Sequence, residues 1–578
     1  MTVVRRSAKV TVELGGVVTI DDEKVTTVFP DADALPPIIT GATSRRRLRR
    51  ADGRIVQRAS LTVDAEWQAI QSALASQDLT VVDAIPLRTD TVVPPSTSAS
   101  RRARRRGGVA ASSTAALVSV VGVNVDVDDD EEVVVLLEQD GVYTWNLGDV
   151  TAPQPATVAS ARKGAKRAAR KRPAKSAAAG KRVARFQLEV APSRVVQRTA
   201  DGRRRGIMGK VAGKAIAYVL RFAAKPILSG ASKWIERNIK EGLIHINGTD
   251  ATAWPSLGMD GTLVIPATGQ AKVLLFVHGT FSSTLGSFGA LGASESGAEF
   301  LRAAIKNYDV VIGWNHRTLS VAPDKNASDL CAWFQAQQWA KPPIVDAIAY
   351  SRGGLVFRSL VEEQLPSAKK KVEIRRAVFV GSTNGGTELA HPANWHSFAD
   401  TYMNLAAAGA RALGLVPGLN VAGAILSEAI GGVGSLIKVL ATSAVDDDAI
   451  PGLSAMNPSG PFIKRINQRQ PGQPSPSDVR YYAITSNFDP DEAADEGRTS
   501  ELPTGFLLKL ADKAVDALQG KPNDLVVNVD AMTRIDPQEG TFVRERLDYG
   551  TNGTVHHCRY FVQDETADSL SRWLMAPP

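Results

Sequence analysis

Between Ile344 and Glu363 the chain reads IVDAIAYSRGGLVFRSLVEE. The apolar run ending at Tyr350 implies a strand buried on both faces, and helical spacing begins near Leu355. Only Ser351-Arg-Gly-Gly lies between them. A strand that turns into a helix over so few residues needs small side chains on either side of the turn, because larger ones collide with the neighbouring strand and helix. Ala349 and Gly353 occupy those two positions. The geometry projects the Ser351 hydroxyl out of the turn, where it is available for chemistry. The competing reading is a serine that caps a helix N-terminus.

This strand–turn–helix sits inside a larger alternation. From Leu243 onward, apolar runs at Thr262 to Ile265, Val273 to Val277, Val310 to Gly313, Ile344 to Ala349, Ala377 to Val380 and Tyr481 to Thr485 alternate with helical stretches. Such a rhythm predicts a mostly parallel sheet covered by helices, an α/β architecture.

A second stretch, KVLLFVHGTFSSTLGSF, carries a buried strand into His278-Gly279-Thr280. With the turn at Ser351, it resembles the α/β-hydrolase superfamily, and in particular its lipase and esterase branch. Ala349 departs mildly from that family's G-x-S-x-G pattern. The resemblance extends to Val378-Phe-Val-Gly-Ser-Thr-Asn-Gly-Gly-Thr387 and to PGLSAMNPSGPFIKRIN at 451–467, and covers roughly 243–578. It implies that Ser351 is a nucleophile. It also implies that backbone amides of Thr280 (or its neighbour Phe281) and of Arg352 form an oxyanion hole, and that His278 is structural. No metal and no cofactor are implied.

A serine hydroxyl needs a base, and the base needs an orienting acid. In this family the order along the chain is serine, acid, histidine. His391 and His396 follow Ser351 too closely, which leaves His556 and His557 in GTVHHCRYF. The resemblance favours His557, since Tyr560-Phe561 follows it as an aromatic pair; His556 is the alternate. For the acid, Asp524 in NDLVV resembles the family's aspartate string, and Asp489 in ITSNFDPD is the alternate. Asp530 and Asp346 read as bystanders. The implied activity is hydrolysis of a carboxylic ester, with a small-molecule or lipid ester as substrate. A catalytically silent or gated binding module of the same fold is the other reading.

Residues 398–450 read as an insertion into this domain. Leu405 to Val445 is rich in Ala, Gly and Leu with few charges, which suits a mobile lid or a fixed cap, and the Gly431-Gly432 pair is compatible with a hinge. No run of about 20 uninterrupted apolar residues predicts a membrane span.

The chain ahead of the hydrolase-like region divides by composition. Residues 1–150 read as a smaller mixed α+β module, with a strand near Ala8 to Leu14, a helix around Trp67 to Leu74, and strands at Ala116 to Val127 and Val133 to Leu137 joined as a hairpin through the acidic run Asp128 to Glu132. Residues 151–185 form a basic Ala/Lys/Arg linker; Arg162 to Arg185 alone holds eleven Lys and Arg and no acid. That tract more than accounts for the net charge of +8. It lacks the interleaved aromatics that stack bases, so a solvated linker is expected rather than a nucleic-acid site. Residues 186–242 read as a connection whose Ile207 to Ile239 stretch is helical, with cations that could touch a membrane surface. A protein partner for residues 1–150 is the remaining expectation. Two unrelated cysteines, Cys331 and Cys558, and the lack of a signal-like N-terminus point to a cytoplasmic setting.

Overall fold

The computed structural model describes residues 2–7, 9–14, 18–20, 47–49, 55–57, 63–92, 119–151, 182–190, 210–224, 236, 239–413, 421–442, 450–468, 478–490, 492, 521–538 and 540–576. The centre of the expected linker, 152–181, lies outside them. The chain forms two compact units that interleave in sequence: Met1–Pro36 with Thr80–Lys225, and Pro37–Leu79 with Pro226–Pro578.

The first unit is a sandwich of two antiparallel sheets. Its opening strands are β1 (Thr2–Arg5), β2 (Val10–Leu14) and β3 (Val18–Ile20). The chain then contributes a ribbon, β4 (Arg47–Arg49) and β5 (Ile55–Gln57), and helix α1 (Val63–Ser76) to the second unit. It returns with β6 (Thr80–Val92), β7 (Ser119–Val127), β8 (Glu131–Gln139), β9 (Val142–Leu147), β10 (Asp149–Thr151), β11 (Arg182–Val190) and β12 (Lys210–Ala223). The strand orders are β1-β2-β7-β11-β10 and β3-β6-β12-β8-β9. Period-2 alternation builds the core between them. Val121, Val123 and Val125 with Phe186 and Leu188 pack against Ile85, Leu87, Val135 and Val219.

Three expectations change here. Residues 1–150, expected to form one α+β module, are divided: among the described residues the first unit holds only strands, and helix α1 belongs to the second unit. The expected hairpin is absent: β7 and β8 lie in different sheets, so Asp128 to Asp130 is a crossing between sheets. Acids in and beside that crossing meet cations, Asp128 with Lys9 at 2.7 Å and Glu131 with Arg221 at 3.0 Å. Finally, Lys210 to Ala223 is a long strand and not part of a helix. It pairs with β6 on one side and β8 on the other, and that ladder overrides the helical preference of its Ala and Lys residues.

The second unit is α/β. Its eight-stranded sheet has the order β14-β13-β16-β15-β17-β18-β19-β20. The strands are β13 (Gly242–His245), β14 (Ser256–Gly258), β15 (Lys272–Val277), β16 (Val310–Asn315), β17 (Ile344–Tyr350), β18 (Glu373–Val380), β19 (Arg480–Phe488) and β20 (Val543–Asn552). Strands β15 to β20 pair in parallel, and β13 is antiparallel to β14 and β16. Thr262 to Ile265 is not a strand; Val264 is 95% exposed.

Alternate strand residues serve the two faces. Leu274, Phe276, Ile348 and Val378 pack under α2 (Thr284–Phe288), α3 (Glu295–Asn307) and α8 (Asp564–Met575), through Phe288, Phe300, Leu301, Leu570 and Trp573. Val273, Leu275, Ala347 and Phe379 pack under α4 (Pro323–Ala336) and α5 (Gly353–Ser359), through Leu330, Phe334, Val356 and Phe357. Asp346 lies within β17, where Arg375, Arg376 and Tyr308 surround its carboxylate, and the Tyr308 hydroxyl also donates to the Leu574 carbonyl. Asp346 thus fastens the C-terminal helix to the sheet.

The strand order reverses between β15 and β17: the chain runs from β15 to β16 on one side, then to β17 on the other. Open α/β sheets bind ligands at the carboxyl ends of the strands at such a switch point. Above it lies the insertion, α6 (Trp395–Leu413) and α7 (Val421–Thr442). By length and composition α7 could cross a membrane, but more than half of it is buried inside this unit.

Candidate active site

Ser351 stands at the carboxyl end of β17 with φ +52°. A non-glycine residue held in this left-handed region carries strain, which clusters at functional sites. The turn is fixed on every side. Ser351 N donates to the Val380 carbonyl at 3.0 Å, Thr383 N donates to the Ser351 carbonyl at 3.2 Å, and Ser382 Oγ donates to the Ala349 carbonyl at 2.9 Å. The Gly-rich stretch after β18 therefore wraps the turn. A Cβ on Gly353 would stand 2.2 Å from the Val277 carbonyl oxygen, so only glycine is tolerated there. Ala349 is fully buried beneath the turn.

His557 and Asp524 reach Ser351 from later in the chain. His557 Nε2 lies 3.0 Å from Ser351 Oγ, and His557 Nδ1 lies 2.8 Å from Asp524 Oδ2. A carboxylate only accepts, so Nδ1 carries the ring proton and Nε2 presents its lone pair to the serine hydroxyl. Asp524 Oδ1 accepts from the amides of Val526 and Val527, at 3.1 and 2.8 Å. These bonds hold the carboxylate in one orientation. All three residues are at most 2% exposed.

Of the alternates, Asp489 follows β19 and is not the carboxylate on His557. His556 points elsewhere: it is buried beside Phe488, its ring nitrogens have no partner among the described residues, and burial holds its pKa well below the ordinary value. Asp530 lies in a short helix on the surface, 4.0 Å from Lys521. His278 stacks on His316 at 4.0 Å. Its Nε2 accepts from His316 N at 3.0 Å while Nδ1 donates to the Gly279 carbonyl at 2.9 Å. Burial lowers its pKa to about 3, so the ring stays neutral and serves as a brace.

Gly279 touches the Ser351 turn directly; a Cβ there would be 2.7 Å from Ser351 Cβ. Among the described residues the Thr280 and Arg352 amides have no acceptor. Phe281, at φ +55°, spends its amide on Thr318 Oγ1 at 3.2 Å. The Arg352 side chain is fully buried and turns away from Ser351, donating to the Gly452 carbonyl at 3.1 Å and to Asn326 Oδ1 at 3.0 Å. Burial pushes its pKa down to about 10.

In the sequence Tyr560 stands only as half of an aromatic pair. Its hydroxyl donates to Asp524 Oδ2 at 2.9 Å, the same oxygen that faces His557. Tyr350, directly before the serine, donates to the His557 carbonyl at 2.9 Å. Neither role has a local sequence signal, because each depends on segments 36 and 207 residues apart in the chain meeting in space.

The insertion roofs this arrangement. Phe281 packs on Phe398 and Tyr402 of α6, with ring centroids 5.3 and 5.0 Å apart. A Cβ on Gly432 would stand 2.7 Å from Phe281 Cα, so α7 meets the loop backbone because it lacks a side chain there. The Gly431-Gly432 pair lies inside a continuous helix. Beside His557 remains a cavity of about 40 Å³, lined among others by Tyr402, Ala406, Gly409, Ala429 and Phe561. That space is roughly one or two waters' worth. The free thiol of Cys558 lies at its edge, pushed up to about 12 by burial. Among the described residues no three His, Cys, Asp or Glu side chains gather where a metal could bind.

Fold and site define an α/β protein with a buried Ser-His-Asp chain at the switch point of its sheet. The chain belongs to the family described as domain of unknown function DUF7379, which matches residues 241–575. A second family of unknown function, DUF7362, matches residues 38–222. No curated protein matches the sequence. Among solved structures, a phospholipase, PlaB, from Legionella pneumophila aligns at 13% identity and TM-score 0.26, covering 45% of each chain. The chain thus spans under half of that phospholipase's length. Lipase 1 from Pelosinus fermentans aligns at 14% identity and TM-score 0.30, covering 53% of this chain and 99% of the lipase. The RedJ thioesterase of the prodiginine pathway in Streptomyces coelicolor aligns at 11% identity and TM-score 0.23, covering 54% of this chain and 93% of the thioesterase.

Proposed function

We propose that the second unit is an α/β-hydrolase-fold serine hydrolase that cleaves carboxylic esters of apolar acyl groups through an acyl-enzyme. One observation carries this reading: the hydrogen-bonded sequence Ser351 Oγ, His557 Nε2, His557 Nδ1, Asp524 Oδ2, with spacings of 3.0 and 2.8 Å, at a strained turn. Ser351 Oγ attacks the ester carbonyl carbon while His557 Nε2 takes its proton. Asp524 holds the imidazole in the required tautomer and stabilises its positive charge. The oxyanion of the tetrahedral intermediate is held by the amides of Thr280 and Arg352, each such donor being worth about 3–4 kcal/mol. The intermediate collapses, the C–O bond to the alcohol breaks, and His557 passes its proton to the leaving oxygen. Water, deprotonated by the same imidazole, then attacks the acyl-enzyme and releases the acid and Ser351.

The apolar acyl preference rests on the cavity lining. Ala406, Gly409, Ala410, Leu413, Ile425 and Ala429 come from the insertion and offer no charge to a substrate. Ligand pockets run to roughly 300–1,000 Å³, against about 40 Å³ beside His557, so entry of a long acyl chain is expected to displace α6 or α7. The test is hydrolysis of p-nitrophenyl esters of graded chain length by the wild type and Ser351→Ala. Loss of at least about 10⁴ in kcat with an unchanged melting temperature is expected. Undiminished turnover by Ser351→Ala removes Ser351 from the chemistry.

A further inference from the structure

The loop Phe281 to Thr284 is stitched to the end of β16 and to the segment that follows it. Thr284 N donates to Asn315 Oδ1 at 2.8 Å, and Phe281 N donates to Thr318 Oγ1 at 3.2 Å. The other end of the same segment reaches the other side of Ser351. The Val321 carbonyl accepts from the Arg352 guanidinium, and the Leu319 carbonyl accepts from Gly452 N. Residues 318–321 therefore connect the two places whose amides flank the nucleophile.

What fixes that segment is a buried carboxylate from far upstream. Glu236, 3% exposed, accepts five hydrogen bonds. They come from Thr318 N at 2.6 Å, Thr318 Oγ1 at 2.9 Å, Leu319 N at 3.0 Å, Ser320 N at 2.9 Å and Ser320 Oγ at 2.8 Å. Bonds to a charged acceptor are stronger than neutral ones. The direction of one matters more than its strength. A carboxylate has no proton to give, so the single Thr318 hydroxyl proton is committed to Glu236. Thr318 Oγ1 is then left with only lone pairs to present to the Phe281 amide.

We infer that Glu236, acting through Thr318, is a positioning residue for the oxyanion hole. It holds the Phe281 amide away from Ser351, keeps Phe281 at its strained φ of +55° and thereby aims the preceding amide, that of Thr280, at the reacting carbonyl. This deepens the proposed function and rests on Ser351 being the nucleophile. It also decides between Thr280 and Phe281 as the donor, since the Phe281 amide is already spent. Glu236 itself touches no reacting atom.

The experiment uses the full chain with Thr318→Val, Thr318→Ser and Glu236→Gln. It reads kcat and KM on a short-chain p-nitrophenyl ester, the rate of labelling by a fluorophosphonate, and the melting temperature. Valine keeps the shape and removes the relay oxygen; serine keeps the oxygen. Thr318→Val is expected to lower kcat and the labelling rate tenfold or more while KM moves less than about twofold, because the lost interaction acts on the transition state alone. Thr318→Ser is expected to stay within about threefold of wild type, and Glu236→Gln to behave as Thr318→Val. Wild-type rates in a folded Thr318→Val overturn the inference, as does equal damage by the serine and valine variants. If the wild type neither turns over ester nor labels at Ser351, the serine-hydrolase reading fails first, and the relay falls with it.

Discussion

Ser351, His557 and Asp524 are buried within a small polar island whose surroundings penalise stray charge. Three further histidines share that environment. Burial lowers the pKa of His278 to about 3, and holds His316 and His556 well below their ordinary range. In the unfolded chain a histidine takes up a proton near pH 6.5. Below that pH the unfolded chain binds protons that the folded one refuses, so these groups make stability fall as pH drops from about 6.5 towards their folded values. His556 is the cleanest probe, since its ring has no hydrogen-bond partner among the described residues and rests near Phe488. His556→Phe is expected to flatten the acid limb of unfolding free energy against pH by up to about 1.4 kcal/mol per pH unit, other groups cancelling in the comparison. Denaturant unfolding between pH 7.5 and 4.5 measures it, and an unaltered slope contradicts the assignment. At this scale the sequence was informative where chemistry leaves a local pattern. A small residue on either side of Ser351, the His278-Gly279 pair and the NDLVV string are visible without coordinates. Glu236, Thr318 and Tyr560 carry no such pattern, because each matters only through a partner distant in the chain.

Helix α7 is held between two surfaces. Gly432 faces Phe281, while Gly431 and Gly434 face Gln77 and Leu79. Glycines allow a close approach on both sides, and in a helix they cost about 1 kcal/mol each relative to alanine. That cost offsets something only if the contact is used. Gly432→Ala places a methyl 2.7 Å from Phe281 Cα, so either α7 or the loop must shift. A loss of about 1–3 kcal/mol in stability together with a lowered kcat is expected from thermal unfolding and ester assays. Unchanged values in both would mean that α7 rides loosely over the site. Elements with strong periodicity were readable from sequence, including five of the six sheet strands first assigned in the second unit. β20 was not, because VRERLDYGTN is an edge strand with few apolar residues. β12 was misread because its alanines and lysines suit a helix until flanking strands claim their backbone.

The interleaving of the two units has a consequence for the whole molecule. Helix α1 precedes most of the sandwich in sequence, yet it packs on the insertion of the second unit. Glu66 binds Arg411 through both carboxylate oxygens, Gln77 meets Ser435 at 3.0 Å, and the Gln77 carbonyl accepts from Lys438 at 2.8 Å. A chain that begins at Pro226 therefore lacks part of the second unit. It is expected to melt below the full chain by several degrees, since buried Ile70 and Leu74 are each worth roughly 1.5–3 kcal/mol. Arg411→Ala is expected to destabilise the full chain and to leave the truncated one unaffected, as its partner is gone; equal effects in both would contradict the packing. Composition divided this chain at its basic tract, but composition reports where a chain is solvated, not which distant segments pack together, so the membership of α1 was not legible.

If Ser351 is a nucleophile activated by His557, a fluorophosphonate incubated with the full chain will mark it, and peptide mass spectrometry will map the adduct. A single adduct on Ser351 is expected, absent from Ser351→Ala and strongly slowed in His557→Ala. No adduct on the folded wild type, or an adduct that persists in Ser351→Ala, would contradict it.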